Sequence, residues 1–196
     1  MNIYIIGCGG IGSYLSNFIY KARDAGQIPR LSKITVIDFD IVEQKNLTYQ
    51  NFNVEDIGKK KSYVIGTRYN FNHLDMRIDK DVKLQLDEND IVICCVDNNL
   101  TRSIMYEYCK NKCKYLDLRS KGKIISIYSH ITEQKTYMDS VIEPDDSLSN
   151  GSCQNDFEFK QNKIQYGNVI VAAIGLQYIV DMIREEAGQY ELLQVI

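Results

Sequence analysis

A glycine-rich turn near the start of the chain has the spacing of a phosphate-binding loop. Gly7, Gly9 and Gly12 fit the pattern G-x-G-x-x-G, with Gly10 as a further glycine, and they directly follow a short apolar run. These glycines permit a tight turn and close approach of the backbone, and the next helix offers free N–H groups to a phosphate. The four glycines therefore predict a nucleotide-binding site.

An acidic residue ends the next apolar run along the chain. Asp38 follows the sequence KITVI, and a carboxylate at that point hydrogen-bonds the ribose hydroxyls of a bound nucleotide. The glycine turn and Asp38 are equally typical of an NAD-linked oxidoreductase, so that alternative stays open on these two features.

Short apolar runs alternate with amphipathic ones and predict the elements that must position these residues. Strands are expected at 3–7, 33–38, 90–96, 114–118 and 123–129, with shorter candidates at 76–78 and 191–196. Helices are expected from Ile11, from Asp56, over 101–112 and over 165–187. This order predicts an α/β fold with a doubly wound, mostly parallel, Rossmann-like sheet and helices on both faces.

Residues 133–163 break the alternation, because they are polar and include Pro144. We expect a crossover loop there, within a single domain over 1–196. The longest apolar run, around 169–183, is interrupted by Gly175, Gln177 and Asp181. It therefore falls short of the roughly 18 apolar residues that predict a membrane span.

The composition is that of a mildly acidic globular protein. The formal net charge is −3, with 25% charged and 44% hydrophobic residues. Without a basic run, neither nucleic acid nor a membrane surface is an expected partner. Six cysteines without scaffold spacing, and no leader ahead of the first strand, predict a cytoplasmic protein with reduced thiols.

Three blocks of residues follow the glycine turn in a fixed order. They comprise Asp38, Asp40, Val42, Glu43, Asn46, Leu47 and Gln50, then Asp56, Ile57, Gly58 and Lys61, then Asp97, Asn98 and Arg102. Together with the glycine turn, these blocks resemble the ThiF/MoeB/HesA family, which includes the adenylation domains of ubiquitin-activating enzymes. The resemblance covers residues 1–130, with a looser match at 167–183.

The resemblance implies that the protein binds ATP and Mg²⁺ and adenylates the C-terminal carboxylate of a small ubiquitin-like (β-grasp) protein or peptide, releasing pyrophosphate. Because that carboxylate and the phosphates are both anions, cationic groups and a metal must offset their repulsion. The resemblance also implies a homodimer or a heterodimer.

The roles of individual residues follow from the same resemblance. Lys61 would contact the phosphates, Asp97 would hold Mg²⁺ through oxygen, and Arg102 would brace the site. The implied nucleotide-binding residues are Gly7, Gly9, Gly10, Gly12, Asp38, Asp40, Asn46, Gln50, Lys61 and Asn98. Two plainer interpretations remain: Lys61 as part of a solvated helix start at 59–61, and Asp97 as the N-cap of the next helix.

The chain departs from the family pattern in its cations. Tyr49 stands where the family has a phosphate-binding arginine, and with a first strand from Ile3 we expect no arginine finger ahead of it. Arg23, Arg30 or Arg68 could substitute. Since an arginine finger contributes about 10³–10⁵ in rate, this departure favours an alternative: a non-catalytic scaffold, or the inactive half of a heterodimeric activating enzyme.

The cysteines depart from the pattern as well. The family's paired C-x-x-C motifs are absent from the second half, and Cys109 with Cys113 makes one pair only, so no zinc is expected. Cys153 lies in the expected crossover loop and is a candidate nucleophile for a thioester. The alternative is that Cys153 is an incidental loop residue.

Overall fold

The computed structural model describes residues 1–141, 164 and 166–186, and the backbone of 192–195. The strands are β1 (Asn2–Ile6), β2 (Lys33–Ile37), β3 (Asn72–Leu74), β4 (Ile91–Cys94), β5 (Lys114–Lys121), β6 (Ile124–Ser129) and β7 (Leu192–Val195). The helices are α1 (Gly10–Asp24), α2 (Lys61–Tyr69), α3 (Asn99–Cys109), α4 (Gln134–Val141) and α5 (Gly167–Arg184), with 3₁₀ turns at Gln44–Thr48 and Val54–Asp56.

The seven strands form one sheet in the order β3-β2-β1-β4-β5-β6-β7. β1 to β5 all run parallel to one another, whereas β6 pairs antiparallel with both β5 and β7. The predicted α/β fold with a mostly parallel, doubly wound sheet is therefore confirmed. Because β1, β2 and β4 run in the same direction, the segments that follow them meet at one edge of the sheet.

Each face of the sheet carries its own hydrophobic core. Side chains of α1, α2 and α5 pack on one face with Ile3 and Ile5, and we call this the first core. Side chains of α3 and α4 pack on the other face with Ile6 and Val92, and this is the second core. Since β1 is buried on both faces, its run of Ile residues is the continuous apolar pattern of a central parallel strand.

The helix α5 packs against α1, β5 and β6. With 18 residues and a mean hydropathy of 1.3, it is long and apolar enough to cross a membrane by length and composition alone. In the structure, however, Val171, Ala172 and Ile179 are fully buried in the first core. The helix is therefore a core helix of this sheet.

Two predicted elements are displaced by several residues from where the sequence indicates. The third strand is Asn72–Leu74, not 76–78, because Asn72–Leu74 pairs with Thr35–Ile37, whereas Met76 and Ile78 cross into the second core. The helix expected from Asp56 begins at Lys61. A 3₁₀ turn ends at Asp56, and Gly58 then adopts a φ of +83°, which interrupts helical geometry.

The segment expected as a crossover loop begins with a helix. α4 covers Gln134–Val141, and its Tyr137 is fully buried against Tyr106 with ring centroids 4.0 Å apart. The expectation of a loop is therefore wrong over these eight residues, because an aromatic side chain anchors them to the second core. Cys153 and the rest of the expected loop lie outside the described residues.

The start of α1 gives a first prediction. A Cβ added at Gly12 would lie 1.9 Å from the carbonyl oxygen of Gly7, whereas a Cβ at Gly9 meets nothing within 4 Å. Gly12→Ala should therefore lower the free energy of unfolding by at least about 2 kcal/mol, since backbone on both sides leaves no room to relax. Gly9→Ala is the comparison variant: it replaces a favourable N-cap residue but its Cβ meets open space, so it should lower the free energy of unfolding by only about 0.5–1 kcal/mol. Urea denaturation that gives equal losses for both variants would contradict this account of the turn.

Candidate nucleotide-binding site

A cavity of about 440 Å³ opens where β1, β2 and β4 end. Most of the residues that the sequence predicts for the site line this cavity. They are Gly7, Gly9, Gly10, Asp38, Asp40, Asn46, Gln50, Lys61, Asp97 and Asn98. Gly12 is outside the lining: it allows α1 to pack against the Gly7 carbonyl, which is the helix-packing role of the last glycine in this pattern.

The glycine turn is built for close backbone approach. Gly7 has a φ of +92°, and a Cβ there would lie 3.1 Å from the backbone of Cys95. The Gly7 N–H donates to the Ile37 carbonyl at 2.8 Å, which fixes the turn to the end of β2. Gly9 precedes α1 without any side-chain capping bond, so the N–H groups of the first helical turn remain available to an anion.

The Asp38 carboxylate connects the glycine turn to the end of β2. Its Oδ2 accepts the Cys8 N–H at 2.6 Å, and its Oδ1 accepts the Asp40 N–H at 2.8 Å. Burial raises the pKa of Asp38, and Lys61 and these two N–H groups oppose that rise. The carboxylate is thus held in one orientation at the cavity wall, where its remaining lone pairs can accept ribose hydroxyls.

Lys61 is a buried cation and not part of a solvated helix face. Its side chain is only 9% exposed, and its Nζ lies 3.1 Å from Oδ2 of Asp40, which is 50% exposed. The Lys61 N–H also donates to the Asp40 carbonyl at 2.9 Å, and Ile41 pairs with Lys60 as an isolated bridge. The solvated interpretation of Lys61 is therefore wrong, because the neighbouring chain segment holds it in the cavity.

Asn46 and Gln50 come from the 3₁₀ turn and the residues just after it. The Asn46 Oδ1 accepts the Glu43 N–H at 2.8 Å, so its amide closes the turn. Gln50 is 7% exposed, and none of the described residues bonds its buried Oε1. A buried, unpaired amide on a cavity wall is costly. Because half a turn exchanges its O for N, the Gln50 amide can accept from or donate to a ligand.

Asp97 and Asn98 divide two roles at the start of α3. The Asn98 Oδ1 accepts the Thr101 N–H at 2.8 Å, so Asn98 is the N-cap. The interpretation of Asp97 as the N-cap is therefore wrong. Asp97 is exposed at the cavity. None of the residues in 1–141 or 166–186 forms a hydrogen bond or an ion pair with its carboxylate.

Arg102 lies below the cavity and connects α3 to β5 and to the end of β4, in the bracing role that the family resemblance implies. Its guanidinium donates to the Asp117 carboxylate and to the Val96 carbonyl. Burial alone would lower the pKa of Arg102, and Asp117 raises it, with a net rise. Asp117 is fully buried on β5 and also accepts from Arg119 at 2.7 Å. Asp117 is the acidic residue inside the apolar run KYLDL. Because a buried charge requires a partner, its position in the sequence could have indicated an ion pair.

The sequence interpretation missed Asn168, which joins the far end of the chain to the site. Its Nδ2 donates to the Gly10 carbonyl at 3.1 Å and to the Tyr49 carbonyl at 2.7 Å. Asn168 is 2% exposed in the first turn of α5. The signal was an amide directly ahead of the apolar run of this helix.

The arginines that the sequence offers as substitutes for the family arginine do not line the cavity. Arg68 pairs with Asp56, Arg23 donates to the Tyr69 carbonyl, and Arg30 is exposed away from the lining. None of the three therefore replaces the family arginine in the cavity of its own chain, because other groups hold Arg23 and Arg68 and Arg30 lies elsewhere. Within the described chain, the lining cations are Lys45, Lys61 and Arg77.

The donor set at the cavity fits Mg²⁺ held mainly by phosphates. In the described part of the chain, no group of three or more His, Cys, Asp or Glu side chains forms a metal site. Mg²⁺ commonly uses one or two carboxylates together with substrate phosphates and water. The unpaired Asp97 carboxylate, across the glycine turn from Lys61, can supply such a ligand.

The glycine turn, the acid after β2 and the cavity at the carboxyl edge of the parallel strands define a Rossmann-like α/β protein. The ThiF family model matches residues 1–184, and the chain therefore belongs to the ThiF family.

Similar proteins agree with this assignment. Ubiquitin-like modifier-activating enzyme 5 of Dictyostelium discoideum is 27% identical over 129 residues, which is 56% of this chain and 32% of that protein. Among solved structures, the microcin C7 biosynthetic enzyme MccB with N-formylated MccA has a TM-score of 0.72 at 20% identity, and E. coli MccB with ATP has 0.69 at 20%. Each matches all of this chain, which spans 61% and 60% of those chains. The likeness establishes the fold.

The buried pair under the site gives a second prediction. Asp117→Asn keeps the side-chain volume but leaves Arg102 without its charge partner, so the free energy of unfolding should fall by about 3–5 kcal/mol. Asp139→Asn, at an exposed position on α4, is the matched control. Its free energy of unfolding should fall by less than about 0.5 kcal/mol. Urea denaturation measures both. An Asp117→Asn variant as stable as the control would show that the pair does not hold this edge together.

Proposed function

We propose that this protein binds ATP with Mg²⁺ and adenylates the C-terminal carboxylate of a small ubiquitin-like protein or peptide, releasing pyrophosphate. The observation that carries the proposal is the convergence of the glycine turn, Asp38, Lys61 and Asp97 on one cavity. Membership of the ThiF family supports it. So do the name of the Dictyostelium relative and the MccB structures with ATP and with MccA.

In the proposed reaction, an oxygen of the acceptor carboxylate bonds to the α-phosphorus of ATP. The bond from that phosphorus to the bridging oxygen breaks, and pyrophosphate leaves with the electron pair. Lys61 and the N–H groups at the start of α1 offset the charge of the phosphates. Asp38 fixes the ribose, and Asp97 would hold Mg²⁺, which neutralises charge on the phosphates and the leaving group.

A second function remains open because of Tyr49. Tyr49 is buried, lines the cavity, and has its carbonyl held by Asn168, so a neutral side chain occupies the position of the family's arginine. Lys45 is the nearest substitute in sequence, but its Nζ lies 2.6 Å from a Glu43 oxygen. This favours a non-catalytic scaffold, or the inactive half of a heterodimer, as the alternative function.

The partner and the assembly belong to the same proposal. The acceptor is a flexible C-terminal carboxylate, and the working unit is a homodimer or a heterodimer. A thioester on Cys153 stays a prediction, since the residue lies outside the described part of the chain. An NAD-linked oxidoreductase remains the remote alternative, and it assigns no role to the buried Lys61.

The nucleotide site is tested by two neighbouring lysines. Lys61→Ala should weaken ATP binding by about 10- to 100-fold, because a charge-assisted hydrogen bond contributes about 1.5–3 kcal/mol. Lys59→Ala, exposed and outside the cavity lining, should bind ATP as the wild type does. Calorimetric titration with ATP plus Mg²⁺, and separately with NAD, measures this. NAD binding without ATP binding would overturn the proposal, and binding of neither ligand would favour the scaffold.

The metal role is tested by comparing two acids of the same cavity. In the wild type, Mg²⁺ should strengthen ATP binding over that in EDTA, and Asp97→Ala should lose most of this gain while binding metal-free ATP equally well. Asp79→Ala, which also lines the cavity, should retain the gain. If Asp79→Ala loses the Mg²⁺ effect and Asp97→Ala keeps it, the metal assignment to Asp97 is wrong.

A further inference from the structure

The nucleotide cavity has two walls that belong to opposite faces of the sheet. The first wall carries the glycine turn, Gln50 and Lys61, which belong to the elements of the first core. The second wall carries Met76, Ile78 and Ile104, which pack into the second core. The first wall is therefore polar and cationic, and the second wall contributes an apolar patch of Met76, Ile78 and Ile104.

Arg77 is the cation that the described residues place on the second wall. It lies between Met76 and Ile78, is exposed, and lines the cavity. Its guanidinium carbon lies 4.1 Å from the centre of the Phe39 ring, within stacking distance. None of the described residues accepts a hydrogen bond from its guanidinium or pairs with its charge. The Arg77 guanidinium is therefore held over the Phe39 ring, and its N–H donors and its second face are available to a ligand.

The position of Phe39 indicates which part of a nucleotide reaches this pair. Phe39 directly follows Asp38, the expected ribose ligand, and lines the same cavity, so the Phe39–Arg77 pair lies beside the expected position of the sugar. The phosphates belong at the glycine turn and Lys61, on the opposite wall. The nucleobase is then the part of the ligand that extends toward Arg77 and the apolar side chains.

We propose that Arg77, stacked on Phe39, is the platform for the purine base of the bound nucleotide. The planar, delocalised guanidinium can stack on an aromatic ring on each of its two faces, and Phe39 occupies one of them. Arg77 would thus contribute to base recognition and not to phosphate charge, and the missing family arginine stays unreplaced. This inference depends on the proposed ATP site.

The experiment separates base from phosphate with three probes. Calorimetry on the wild type and on Arg77→Ala uses ATP, AMP and inorganic tripolyphosphate. Loss of stacking between the guanidinium and the base should weaken the binding of ATP and of AMP by a similar factor, about tenfold. The affinity for tripolyphosphate should not change. Arg77→Lys keeps the charge but not the plane, so it should lose most of the same factor. Arg30→Ala, an exposed arginine outside the lining, should bind all three probes as the wild type does.

Each other outcome overturns the inference in a distinct way. If Arg77→Ala weakens the binding of tripolyphosphate, and weakens the binding of ATP much more than that of AMP, then Arg77 is the cation that replaces the family arginine at the phosphates. If the affinities for all three probes are unchanged, Arg77 faces solvent in the complex. If the wild type does not bind ATP, both the proposed nucleotide site and the role of Arg77 are wrong. If the wild type binds ATP, the results for the Arg77 variants test the role of Arg77 alone.

Discussion

The arrangement of the site depends on the Asp38 carboxylate, which holds backbone N–H groups on both sides of it. Through Cys8 it fixes the glycine turn after β1, and through Asp40 it fixes the segment after β2. Asp40 in turn bonds both the N–H and the Nζ of Lys61, and the Ser62 hydroxyl donates to the Asp38 carbonyl at 2.9 Å. The phosphate turn and its cation therefore share one anchor.

Burying this anchor has an electrostatic cost. Desolvation raises the pKa of Asp38, and Lys61 and the N–H donors around it oppose that rise by stabilising the charged form. The same balance recurs beneath α3, where Arg102 and Arg119 enclose the fully buried Asp117. Asp38 with its donors joins the segments that follow β1 and β2, and Asp117 with its donors joins α3 to β5. The arrangement keeps the cavity in shape before any ligand enters.

The parts of this structure that are local in sequence were predictable. The turn at Gly7, the acid at Asp38 and the helix face of α1 each follow from spacing within a few residues, so the fold and most of the cavity lining could be anticipated. Arg77 could not be, because its place depends on β3 ending at Leu74 and on a loop that crosses to the second core. The α4 helix escaped prediction for a related reason: only its packing on Tyr106 distinguishes it from a polar loop.

Asn168 shows how far apart in the chain the parts of the site lie. Its bond to the Gly10 carbonyl joins residues separated by 158 positions, and contacts of that separation form late because closing so long a loop is entropically unfavourable. During synthesis, the glycine turn leaves the ribosome 158 residues ahead of Asn168, so it exists for that interval without this restraint. A nascent chain that stops short of α5 would have the nucleotide-binding sequence without the bonds from Asn168, so a helix made much later completes the geometry of the glycine turn.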